Sequence, residues 1–191
     1  MTYHVKRITD ELQLEALPVA KITRYPLEER DYKPYAQGIA CVTEDKLILR
    51  MWAFEVAPSP ASHLRCVLYL FRDVPERALC VDVFPAGLAQ ARWMINGELR
   101  EGTAPLAGLA VQELGGEDLQ GVYWGALVRI PLDALGEGTL LPVPGGEFPG
   151  NFYKLCDEDP LRHSGSCFPA DFKGNPYAAD QMGVFVAGES L

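Results

Sequence analysis

Two short segments in the C-terminal third hold most of the side chains that could do chemistry. His163 and Cys167 stand four residues apart, the separation at which a helix would bring an imidazole beside a thiol, as base and nucleophile or as two metal ligands. Gly165 lies between them and Pro160 and Pro169 flank them, so no helix is expected and neither catalysis nor metal binding is the expected role of the pair. Asn151, Tyr153 and Lys154 place an amide, a phenol and an ammonium close together. Alternation along a strand would put Asn151 and Tyr153 on one face and Lys154 on the other. The plainer expectation there is that Phe152 and Lys154 divide between core and solvent while Asn151 supports a turn. Asp157, Glu158 and Asp159, with Asp171 beyond them, offer carboxylates to a hard cation, but the D-x-D-x-D-G spacing of a dedicated calcium loop is absent. A solvated charged loop is expected, and a structural calcium ion is left open.

Nothing else in the chain points to catalysis. There is no G-x-S-x-G elbow, H-E-x-x-H pair, P-loop or dinucleotide fingerprint. The five cysteines are an odd set without a C-x-x-C pair, too widely spaced for a zinc ribbon, and read as reduced and mostly buried thiols. Aromatic surface comes from Trp52, Trp93 and Trp124. Trp52 should share a face with Arg50 and Phe54, while Tyr123 and Trp124 must point to opposite sides of their strand, leaving one exposed.

The elements that would position these groups are strands. Fifteen prolines and eighteen glycines are scattered between short apolar runs in a chain of 191 residues, so turns recur about every ten residues and no 3.6-residue period persists. Strands are expected over 20–25, 36–43, 46–56, 64–71, 78–84, 91–95, 109–113, 122–131 and 183–187. Glu44 and Asp45 read as a hairpin connection, and 72–77 as the longer loop of a second hairpin. Helix is confined to a turn near Thr9–Leu12 and a short segment between Pro131 and Gly136. Residues 136–149 read as a long surface connection. The expected fold is all-β, a single domain over 1–191, a β-sandwich of immunoglobulin-like or jelly-roll type with at most short helices.

With 26 acidic and 17 basic residues the net charge is -9, which repels phosphate backbones and anionic membranes, so neither nucleic acid nor membrane is an expected partner. The first twenty residues lack an apolar run of signal-peptide length, and no stretch approaches the roughly 18 apolar residues of a membrane span. A cytoplasmic location is expected.

The C-terminal third resembles the closing signature of the family 9 carbohydrate-binding modules. Asn151-Phe152-Tyr153-Lys154 matches an N-F-Y-K run. His163-Ser164-Gly165-Ser166-Cys167-Phe168-Pro169 follows H-x-x-S-W-x-P, and Met182-Gly183-Val184-Phe185 stands at the terminal strand. Upstream, Ile22–Tyr25, Tyr32-Lys33-Pro34, Glu55, Cys66-Val67 and Val81–Gly87 agree more loosely. The resemblance implies a sandwich that holds a mono- or oligosaccharide between aromatic faces, with polar side chains reading its hydroxyls. It places Trp52, Asn151, Tyr153, His163, Ser166 and Phe168 nearest the sugar. Three positions depart from the pattern: Cys167 replaces the tryptophan, Leu68 the acidic residue after Cys-Val, and Lys173 the histidine after Phe172. A cysteine offers no flat apolar face and a leucine no acceptor for vicinal hydroxyls. The alternative reading is therefore a structural or protein-interaction sandwich that has lost sugar binding and self-associates through an exposed sheet face.

Overall fold

The computed structural model describes residues 2–190, the side chain of residue 189 excepted. Its strands are β1 (Thr2–Arg7), β2 (Ala20–Ile22), β3 (Ala36–Val42), β4 (Lys46–Phe54), β5 (Ser62–Leu68), β6 (Arg77–Phe84), β7 (Leu88–Ile95), β8 (Ala110–Asp118), β9 (Gly121–Pro131), β10 (Gly146–Cys156), β11 (His163–Ser166) and β12 (Gly183–Ser190). They join in one hydrogen-bonded path, β7-β6-β5-β10-β12-β1-β3-β4-β9-β8, with β11 paired to β10 and β2 to β3. The path curls over until β7 touches β8 and β9, so its two halves form the layers of a sandwich. All neighbours are antiparallel except at the bend, where β1 runs parallel to both β12 and β3.

Alternation explains which side chains fill the space between the layers. From one half come Leu64, Cys66, Leu68, Leu79, Val81, Val83 and Phe152, and from the other Leu47, Leu49, Met51, Ala126, Val128 and Ile130. On the outer side of β4, Ile48 is also buried, packed with Ile8, Leu14 and Leu17. Those residues belong to a single 3-10 turn, Glu11–Ala16, and its flanks. Asp10 caps that turn: its carboxylate accepts from the Leu12 N–H (2.9 Å) while Gln13 reaches back to the Asp10 N–H (3.2 Å), a reciprocal cap that fixes the start of a short helix. An α-helical turn, α1 (Leu132–Leu135), lies between Pro131 and Gly136 as expected.

Both hairpins form. β3 and β4 meet across Thr43–Asp45, closed by Thr43 N–H to Lys46 C=O at 2.9 Å, and β5 pairs with β6. The long connection expected over 136–149 is shorter, because β10 begins at Gly146 and pairs with β12 from Gly146 to Gly150. Its Gly and Pro content masked a strand whose partners on both sides supply the order that local propensity lacks. β1 was also outside the expected strands. Only Tyr3 and Val5 of its six residues are buried, too weak a period to read alone.

Close approach of β4 and β9 depends on Gly125. A Cβ there would lie 2.1 Å from the Met51 carbonyl oxygen and 2.7 Å from the Trp52 Cα, both backbone atoms that cannot yield separately. Gly125→Ala should destabilise the protein by at least about 1–3 kcal/mol, read as a lowered denaturation midpoint. An unchanged midpoint would mean the two strands can part at no cost.

Candidate functional site

β10 delivers side chains to two different environments. Phe152 and Lys154 point between the layers; Asn151 and Tyr153 point outward. The expectation that Phe152 and Lys154 would divide between core and solvent is thus corrected: residues two apart share a face, and the Lys154 side chain has no exposure at all.

An ammonium removed from water needs a partner for each proton. Lys154 Nζ has three acceptors: Ser62 Oγ from β5, His163 Nε2 from β11 at 2.8 Å, and Glu55 Oε2, just beyond β4, at 3.1 Å. The Glu55 carboxylate is held in turn by Trp124 Nε1 of β9 at 3.0 Å and by the Ser62 hydroxyl at 3.2 Å, both on Oε2. Burial lowers the Lys154 pKa, and the Glu55 charge opposes that shift. Burial, followed by the Lys154 charge, pushes the His163 pKa down to about 4. His163 is therefore neutral near pH 7, accepting from Lys154 on Nε2 and donating from Nδ1 to the Leu161 carbonyl at 2.7 Å. Neither ring nitrogen is left for Cys167. That thiol is half-buried and raised by burial to about 11, so it is not a poised nucleophile.

Above this cluster opens a pocket of about 340 Å³ lined by Arg30, Tyr32, Glu55, Val56, Leu161 and His163, among others. The volume lies at the lower end of the small-ligand range. Arg30 straps its wall together, pairing with Glu28 and donating to the carbonyls of Pro160 (2.8 Å) and Arg162 (2.6 Å). Tyr32 stands at the rim, 66% exposed, its hydroxyl 3.3 Å from the Phe54 carbonyl. Among the described residues Glu55 Oε1 has only the Ser62 hydroxyl, at 3.5 Å, so it retains acceptor capacity while Oε2 takes three donors.

Of the six residues expected nearest a ligand, only His163 lines this pocket. Asn151 is fully buried and clips the 167–169 turn to β10. Its Oδ1 accepts from Phe152 N–H (2.9 Å) and Phe168 N–H (3.0 Å), and its Nδ2 donates to Phe168 C=O (3.2 Å). Phe168 is buried edge-on against Phe185. Tyr153 lies beneath the 172–177 segment, its hydroxyl donating to Pro176 C=O at 2.7 Å and its ring against Tyr177. Ser166 is fully buried with its hydroxyl unpartnered. Trp52 is on the outer face of β4, half-buried under the Arg50 guanidinium at 4.9 Å. Leu68 is in the core. In the acidic run, Glu158 accepts from Ser59 and Asp159 pairs with Arg162; among the described residues no three His, Cys, Asp or Glu side chains converge as a metal site requires.

Glu55, Ser62, Arg30 and Tyr32 are not among the residues expected at a site from sequence, and Trp124 is expected only as aromatic surface. A signal was present for one: Leu47, Leu49, Met51 and Ala53 face inward, and the same parity carries Glu55 inward beside Trp124.

No protein-family model matches the sequence, and no curated protein does. Among solved structures, the chain is similar to a Bacteroides uniformis protein inferred to bind carbohydrate, with 18% identity and a TM-score of 0.75 over 98% of this chain and 99% of that one. It is also similar to a family 9 carbohydrate-binding module of Caldicellulosiruptor kristjanssonii. Against that module in complex with cellotriose the identity is 11% and the TM-score 0.58, over 100% of this chain and 95% of the other. Against it in complex with glucose the TM-score is 0.52, at 11% identity, over 100% and 97%. The chain has the fold of a family 9 carbohydrate-binding module. The resemblance read from Asn151 to Phe185 holds at the level of fold and at low identity. In this family 9-like sandwich the N-F-Y-K and H-x-x-S runs supply Asn151, Lys154 and His163 to internal bonds. No helix among the described residues is long and apolar enough to cross a membrane.

Two outcomes follow from the buried cluster. Lys154→Met, which strands the Glu55 carboxylate, should cost about 3–5 kcal/mol in denaturant unfolding; a near-neutral effect would show that Glu55 finds water instead. Second, unfolded His163 takes up a proton near pH 6.5, whereas the folded one resists until about 4. Acid therefore favours the unfolded chain, and the contribution, full above about pH 6.5, is lost as pH falls toward 4. Melting curves should show this loss, and His163→Gln should flatten it.

Proposed function

We propose that the protein is a non-catalytic carbohydrate-binding module that holds a mono- or oligosaccharide in the pocket above Glu55. The observation that carries this is the pairing of an unspent carboxylate acceptor, Glu55 Oε1, with an exposed aromatic face, Tyr32, across one small pocket. A pyranose offers an apolar C–H face to stack on the ring and hydroxyls to donate to the carboxylate. The fold shared with modules solved in complex with cellotriose and glucose supports the same reading. In this arrangement His163 touches the ligand, while Asn151, Tyr153, Ser166 and Phe168 maintain the frame beneath it. Trp52 faces away. Aromatic stacking comes from a loop tyrosine where the family pattern has a tryptophan at the Cys167 position.

Isothermal titration against a panel of mono- and oligosaccharides tests it. Wild-type protein should release heat with at least one sugar. Tyr32→Ala, at an exposed position, should weaken binding by roughly two- to tenfold through the loss of about 0.5–1.5 kcal/mol of stacking. Trp52→Ala should leave affinity unchanged. No heat with any sugar from folded protein would overturn the proposal, and so would equal binding by wild type and Tyr32→Ala.

A further inference from the structure

The two ends of the hydrogen-bonded path are treated very differently. At one end, the outer edge of β7 is partly covered: Leu106 N–H donates to Ala91 C=O at 2.7 Å, and Ile95 bridges Glu98. At the other end Gly87 lies close to Glu113 of β8, but among the described residues no backbone hydrogen bond covers the outer edge of that strand. Among the described residues it pairs only with β9, in unbroken register from Ala110↔Arg129 to Asp118↔Gly121. Eight of its nine residues are exposed and Leu114 is half-buried. A row of backbone donors and acceptors is left facing outward.

Open edges invite pairing with another strand, and proteins usually block them with lysine, proline or a bulge. The β8 sequence, Ala-Val-Gln-Glu-Leu-Gly-Gly-Glu-Asp, contains no lysine, arginine or proline, and its ladder with β9 has no register shift.

The strand's own charges choose a partner. Laid antiparallel against a second copy about a two-fold axis at Leu114, all nine residues pair. Glu113 then faces Gly115, Glu117 faces Val111, and Asp118 faces Ala110, so no acid opposes an acid. Shifting each residue's partner by two, the smallest slip that keeps faces matched, ruins this. One direction sets Glu113 against Glu113, and the other sets Glu113 against Glu117. The favoured register also brings Leu114 against Leu114 on the outer face, where this residue and Trp52 already border the Ile48 and Leu127 cluster. We propose that β8 is the docking edge for a second copy of this chain, forming an isologous antiparallel dimer centred on Leu114. This does not depend on sugar binding, because β8 lines no part of the pocket above Glu55.

Light scattering over a concentration series, with variants at Val111, tests the register as well as the dimer. Wild-type mass should rise from one chain toward two, and more readily at higher salt, since each copy carries a net charge of -9. Val111→Glu places a carboxylate opposite Glu117 twice in each dimer and should weaken association several-fold; Val111→Lys creates two opposite-charge pairs and should strengthen it by a similar factor. Val111 is 38% exposed, so both variants should melt like wild type when dilute. A strict monomer at every concentration would overturn the proposal. So would a dimer indifferent to Val111, which assigns the contact to another surface, or one weakened equally by both charges, which denies that Val111 faces Glu117.

Discussion

A single buried ammonium determines how the two layers of this sandwich meet at the pocket end. Lys154 rises from β10 in one layer, and its protons are claimed by β5, by β11 and by Glu55 at the end of β4 in the other layer. Trp124 on β9 donates to the same carboxylate oxygen. Removing an ion from water costs several kcal/mol unless its geometry is closely matched, so any displacement of these strands would uncover an unpaired charge. Apolar packing between the layers is non-directional and tolerates sliding. The ion pair does not, and it therefore specifies the register that packing leaves loose.

The same constraint shapes the cavity. Because Oε2 of Glu55 is occupied by internal donors, the orientation of the carboxylate that lines the pocket is fixed, and Oε1 is the oxygen with acceptor capacity to spare. Because His163 is spent on Lys154 and Leu161, it forms a rigid floor rather than a base. The outward side chains of β10 do parallel work on the other side: Asn151 and Tyr153 tie down the 167–169 turn and the 172–177 segment. One strand thus anchors both the pocket and the cover of the outer face.

Much of the fold was legible in the sequence because its strands lie between clear turns and bury one face. The hairpin around Thr43–Asp45 and the helical turn at Leu132–Leu135 carry clear local signals. β10 and β1 were not legible, since Gly146–Gly150 and Thr2–Arg7 owe their order to partners distant in the chain. The site was harder. The N-F-Y-K and H-x-x-S runs marked where polar residues matter, but a run of residue types does not tell whether an amide faces a sugar or a turn. Asn151 faces a turn. Strand parity was the better guide: it sets Glu55 in line with Met51 and Ala53, and Lys154 in line with Phe152.

The charges around the pocket cancel in place. Lys154 offsets Glu55, Arg30 offsets Glu28, and His163 is neutral near pH 7. Although five ionisable groups surround the pocket, the nearest charges leave no net attraction for an ion. An anionic ligand would meet the Glu55 carboxylate, and a cationic one would meet a carboxylate whose charge Lys154 already offsets. A hydroxylated, uncharged ligand needs only what remains: one acceptor on the floor, an aromatic face at the rim and apolar walls from Val56 and Leu161. Those requirements are met without disturbing Lys154, which is the condition any ligand of this pocket must satisfy if the layers are to stay in register.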